Sequence, residues 1–203
     1  MNLFLTLLSG FCWTWVYIEC IRIGFKQKTY AMPLFPLALN FAWEVIYSYR
    51  GVVRPAPISA QTFVNISWAT CDIFIIVTWL RYGRKYWPDS LSRSSFFAWG
   101  ALVFAASFVV QFLFVSEFGF TQGAYYSAFL QNLLMSALFI DMFFKRKGME
   151  GQSLIIAVNK CLGTLAPAIL AYRYQNLFSV VVGTFCVIFD LIYIGLLIKA
   201  SKK

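Results

Sequence analysis

The residues of this chain best placed to do chemistry lie in the stretch Asn40-Phe41-Ala42-Trp43-Glu44-Val45-Ile46-Tyr47. Asn40, Trp43, Glu44 and Tyr47 recur at i, i+3, i+4 and i+7, so one helix face carries an amide, an indole, a carboxyl and a phenol. The rest of the stretch is apolar. An ionisable group on so greasy a helix is costly to bury and marks a functional site. Burial disfavours the charged carboxylate, so Glu44 reads as a neutral acid able to give up a proton. A second carboxyl, Asp190, stands three residues before Tyr193 in a late apolar stretch. A third, Asp72, follows Asn65 and Trp68 at seven and four residues. Carboxyls in environments that hold their protons unequally are how one site gains both an acid and a base.

The residue types that are missing narrow this chemistry. The chain has no His, which removes His-based metal sites, catalytic triads and c-type haem attachment. Its five Cys form no CxxC pair, fall mostly inside apolar stretches and read as small packing residues. No DDxxD run offers ligands for a magnesium-bound diphosphate. The expectation is a site with no metal and no cofactor.

The elements that must position these groups are membrane spans. Of 203 residues, 61% are hydrophobic and 12% charged, and the mean hydropathy is +0.71. A soluble domain has about a quarter charged residues. The composition therefore predicts an all-α, multi-pass integral membrane protein, a single domain over residues 1–203. Apolar stretches of about twenty residues, the length a bilayer needs, run at about 3–23, 31–49, 58–80, 96–115, 122–144, 153–171 and 176–198. The first lacks a basic leader and a cleavage site and reads as an uncleaved helix. Pro33 and Pro36 fall in the first turns of the second, Arg50 to Pro57 reads as a stiff loop, and a short turn is expected near Gly119.

Net charge is +9, but the charges sit between the spans, as topology requires, and imply no nucleic-acid partner. Of the 17 Lys and Arg, 13 flank the side reached after the first, third, fifth and seventh spans, 3 flank the other, and Lys160 lies inside a span. The positive-inside rule then gives a seven-transmembrane-helix bundle with the N-terminus outside and the C-terminus cytosolic. The membrane is a bacterial plasma membrane or the endoplasmic reticulum.

Orientation gives each buried charge a depth. At about 1.5 Å per residue, Asp72, Lys160 and Asp190 share one level, roughly 10–12 Å inside the cytosolic face, where they could meet as an ion-paired cluster. Glu44 lies toward the outer side with no cation at its level. It is separated from Asp190 by about 9 Å along the membrane normal, which leaves room for a substrate. Glu19, Asp141, Glu117 and Glu150 fall near interfaces, within reach of water. Asn40, Trp43, Tyr47, Asn65, Trp68, Asp72, Gln131, Asn132 and Tyr193 are the candidate substrate contacts, with Gln111, Ser127 and Asn159 as further inward polar groups. Their amides could equally serve as interhelical hydrogen-bond glue.

Asn40-x-x-Trp43-Glu44-x-x-Tyr47 in the second span, with Phe189-Asp190-x-x-Tyr193 in the seventh, resembles the integral-membrane terpene cyclases. These are small seven-helix enzymes of fungal meroterpenoid and indole-diterpene pathways, with bacterial relatives. The resemblance implies that Glu44 and Asp190 are the catalytic carboxyls. It also implies a lipophilic prenylated substrate, cyclised without a metal by protonation of a terminal epoxide or alkene, an intramolecular lyase or isomerase reaction of class II-like, acid-initiated type. Such chemistry needs a strong acid in a dry, aromatic cavity, as the residue reading also gives. A proton-coupled small-molecule transporter uses the same buried acids, and a seven-helix receptor the same span count. A retinal protein needs a Schiff-base Lys in its seventh span, and the one near there is Lys199, at the cytosolic end. A third role, as a structural or assembly subunit, would pair the buried charges with another protein's helices.

Overall fold

The computed structural model describes residues 2–55 and 57–202. They form six α-helices and one 3-10 turn: α1 Asn2–Lys26, α2 Leu34–Val53, α3 Ala60–Tyr82, the turn Gly83–Tyr86, α4 Arg93–Arg146, α5 Leu154–Arg173 and α6 Leu177–Ser201. The loops supply the starts. The side chains of Ser59, Ser92, Ser153 and Asn176 each accept a backbone N–H three residues on, satisfying donors that a helix start leaves free. α2 begins just after Pro33, with Pro36 in its first turn.

Six helices stand where seven were expected, because the fourth and fifth stretches share one 54-residue element. α4 is nevertheless not straight. Gly119 leaves the helical region with φ 71° and ψ 171°. Gln111 Nε2 reaches Gln131 Oε1 at 2.6 Å across that residue, although twenty positions along a straight helix span about 30 Å. The helix folds back on itself at Gly119, and its two arms lie side by side. The backbone angles at Gly119 belong almost only to glycine, and a Cβ there would meet no neighbour, so its requirement is conformational. Gly119→Ala is expected to cost about 1–3 kcal/mol, read as a lower thermal midpoint in detergent.

Five helices are long and apolar enough to cross a membrane: α1, α3 with its 3-10 extension, α4, α5 and α6. α2 is the exception, since Asn40, Glu44, Ser48 and Arg50 dilute its apolar residues. Its polar face is turned inward, with Asn40, Glu44 and Ser48 buried. α2 lies against α3 and α4, α1 against α3 and α5, and α6 against α4 and α5. Apolar side chains such as Phe4, Phe11, Phe112, Leu113, Phe185 and Leu191 point outward. The core between the helices is built on Tyr17, Cys20, Met135, Phe139, Ile156, Tyr193 and Leu197.

Two further expectations change. Arg50 to Val53 are helical rather than loop, so α2 runs four residues past 49; Ala56 of that loop lies outside the described residues. Glu19, placed near water by its depth, is buried; Arg22 binds it at 2.6 and 2.8 Å, and Ser153 donates to it at 3.1 Å.

Candidate active site

Glu44 sits mid-way along α2 and is 2% exposed. Its Oε1 accepts a hydrogen bond from the Tyr17 hydroxyl of α1. That hydroxyl accepts from Asn40 Nδ2 at 3.2 Å. Asn40 Oδ1 accepts from Gln131 Nε2 at 2.8 Å, and Gln131 Oε1 accepts from Gln111 Nε2 at 2.6 Å. Each link therefore donates toward Glu44. Because Asn40 occupies the Tyr17 oxygen as a donor, the phenol proton is committed to Oε1. The other oxygen, Oε2, meets no partner among the described residues.

Asp72 of α3, 0% exposed, is the carboxyl neighbour of Glu44, and its oxygens meet no N–H or O–H donor among the described residues. Two carboxyls can bond one another only when one of them holds a proton. No ion pair reaches either carboxyl among the described residues. The arrangement is a buried pair of acids, with a directed chain of donors fixing one oxygen of Glu44.

The expected cluster of Asp72, Lys160 and Asp190 does not form. Lys160 Nζ binds Asp190 at 2.7 and 3.1 Å and donates to Ser136 at 2.5 Å, and Asp72 takes no part. The pair is sealed between α4, α5 and α6, with side chains 0% and 1% exposed. The depth arithmetic went astray at the helix ends. With spans ending at 49 and starting at 58, Glu44 lies five residues from one end and Asp72 fourteen from the other. The observed ends, Val53 and Ala60, change these counts to nine and twelve, which brings the two carboxyls to within three residues in depth.

The other candidates divide. Asn40, Asp72 and Gln131 join Glu44, and Gln111 anchors their chain. Trp68 stacks on Tyr17 with ring centres 5.8 Å apart and so backs the same group. Trp43 and Tyr47 turn toward the bend of α4: the Trp43 indole donates to the Ala124 carbonyl at 3.2 Å, and the Tyr47 ring meets Phe120 edge-on. Ser127 bonds back to Gly123 in its own helix. Asn65 accepts from Gln61 one turn earlier, Asn132 donates to Thr164 of α5, and Tyr193 packs on Phe139. Asn159 bonds a carbonyl of its own helix rather than the interior.

Tyr17 was missed by the sequence reading because one phenol among the aromatics of the first span looks like packing. The signal was its stripe: Cys12, Val16, Tyr17, Cys20, Ile23 and Gly24 recur at helical spacing and are the buried face of α1.

Comparisons with known proteins identify the family. The family model described as Pyr4-like transmembrane terpene cyclases matches residues 1–203. The terpene cyclase ascF of Acremonium egyptiacum is 32% identical over 181 residues, covering 82% of this chain and 65% of the relative. The Pyr4-family terpene cyclase mfmH of Annulohypoxylon moriforme is 29% identical over 85% of this chain and 71% of its own length. Terpene cyclase pyr4 of Aspergillus fumigatus is 28% identical over 78% and 65%. The chain thus spans about two thirds of the length of these relatives. No solved structure matches it. With a family model matched from end to end and a helical membrane bundle around buried acids, this chain belongs to the Pyr4-like transmembrane terpene cyclases.

Proposed function

We propose that the chain cyclises the prenyl part of a lipophilic terpenoid or meroterpenoid by acid initiation, without a metal, and that Glu44 is the acid. The observation that carries this is the buried Glu44–Asp72 pair, which no cation neutralises among the described residues and which Tyr17 and Trp68 flank. Glu44 gives its Oε2 proton to a terminal epoxide oxygen or alkene carbon. In the epoxide case a C–O bond breaks as the neighbouring double bond attacks, and the cation moves along the chain. Loss of a ring-adjacent proton to the carboxylate pair ends the reaction and restores the acid. Aromatic faces hold the passing cation, and exclusion of water keeps it from being quenched.

Tyr17 holds Glu44 by donating to Oε1, which leaves the acidic proton for Oε2. Asp72 shares the proton. The resemblance gives Asp190 a catalytic part. We assign it an indirect one, because both its oxygens engage Lys160. As for topology, if α2 and both arms of α4 cross with the other helices, the N-terminus lies outside and the C-terminus in the cytosol, in keeping with the Lys and Arg bias.

The test is a product assay on membranes carrying the protein, fed farnesylated and epoxy-farnesylated acceptors. Conversion to cyclic products of unchanged mass is the expected result. If well-folded protein converts none of them, the reading fails, and proton-coupled flux in proteoliposomes becomes the next measurement. Tyr17→Phe is expected to lower the rate by about 10²-fold with little loss of fold, because a general acid that is no longer held still reacts, but slowly.

A further inference from the structure

A cavity of about 550 Å³ opens at the end of the bundle where α2 begins, α3 ends and the two ends of α4 come together. Its size suits a small-molecule site. The cavity is distinct from the acid pair. Along α2, Leu34 on its wall is ten residues from Glu44, about 15 Å; along α3, Trp79 is seven residues from Asp72, about 10 Å.

Its walls are rings. Tyr30, Trp79, Tyr86, Phe96 and Trp99 line it together with Arg146. Trp79, 5% exposed, stacks on Phe96 at 4.3 Å. Interfacial aromatics ordinarily face lipid, but Trp79 and Phe96 face inward. The Arg146 guanidinium lies 4.2 Å from the ring centres of both Tyr30 and Tyr86. Its Nη1 is held by the carbonyls of Tyr30 and Glu150, each at 2.9 Å. Its Nη2 is buried and has no acceptor among the described residues. The neighbouring Asp141 and Lys145 pair with each other at 2.8 Å. The site therefore offers stacking faces and an unused cationic N–H donor. The ligand chemistry that satisfies all of these is a flat, unsaturated ring bearing a carboxylate or phenolate oxygen.

We infer that this cavity holds the oxygenated ring of a ring-bearing prenylated substrate, with the prenyl chain extending toward Glu44; the inference rests on the cyclase reading above. The reach fits. A C5 unit of four bonds near 1.5 Å extends about 5 Å, so two or three units cover the separation.

The test uses the full chain in phosphatidylcholine nanodiscs with 1-hydroxy-2-naphthoate, a ring without a prenyl chain, as the probe. Saturable quenching of tryptophan fluorescence is expected, since Trp79 and Trp99 face the cavity. Arg146→Gln and Leu138→Phe, the second of which narrows the cavity from its own lining, are each expected to weaken the probe at least about tenfold. Melting temperatures identify any variant that has lost its fold. Quenching that does not saturate, or that is equally strong in a folded Leu138→Phe protein, overturns the proposal. So does displacement of the probe in discs doped with phosphatidylserine, which would assign the site to a lipid head group. Cyclisation supplies the second arm. KM for a farnesylated hydroxynaphthoate should rise in both variants, while KM for epoxyfarnesol, which lacks a ring, should not. If the probe binds but nothing is cyclised, the cyclase reading fails and the cavity stands. If the wild type cyclises and neither variant moves the ratio of the two KM values, the cavity proposal fails and the cyclase stands.

Discussion

A Glu44→Gln protein is expected to fold and to lose cyclisation by at least about 10³-fold, because the side chain keeps its shape and its Tyr17 bond but has no acidic proton. The result that singles out this site is the companion series. Asp72→Asn removes the group that shares the proton, and the pair Glu44 and Asp72 acts as one acid in the proposal. Both single variants and the double should therefore fall to a similar residual rate, since groups that act as a unit are strongly non-additive. Product formation per folded protein, measured under single-turnover conditions, checks this. A Glu44→Gln rate within about tenfold of wild type would refute the assignment of the acid, and cleanly additive losses would separate the two carboxyls.

The second large effect concerns stability. Lys160 and Asp190 are fully enclosed, and removing one member leaves an uncompensated charge that costs about 3–5 kcal/mol. Lys160→Met and Asp190→Leu alone are each expected to lower the thermal midpoint sharply or to prevent folding. The double variant Lys160→Met/Asp190→Leu should recover most of that loss, because well-packed apolar residues replace such pairs at little cost. Cyclisation by the recovered double variant then reads what Asp190 does. Our assignment expects product. A restored midpoint with no product would move Asp190 into the chemistry.

The helices were legible because twenty-residue apolar runs leave few alternatives in a bilayer. The Cys were legible for a related reason: Cys12, Cys20, Cys161 and Cys186 are buried and unpaired, as small apolar packing residues should be. Glu44 stood out because nothing in an apolar helix hides a carboxyl. Partnership between helices was harder to read. Which carboxyl stands level with Asp72 depends on helix ends to within a turn: ending α2 at Val53 rather than 49 brings Glu44 toward Asp72, while Lys160 keeps Asp190. Tyr17 shows the opposite limit. Its role lies in the direction of one hydrogen bond, which depends on Asn40 and Gln131 arriving from other helices. No spacing within α1 encodes that.

The fold-back of α4 at Gly119 bears on how the chain enters its membrane. Each arm alone would carry a glutamine amide, Gln111 or Gln131, into hydrocarbon without a partner, a penalty of several kcal/mol. Joined, the Gln111 amide donates to the Gln131 carbonyl oxygen before any other helix is present, which removes part of that penalty. The arms are thus suited to partition as a single preassembled wedge. That wedge already displays the Gln131 donor on which Asn40, and through it the acid, is later aligned.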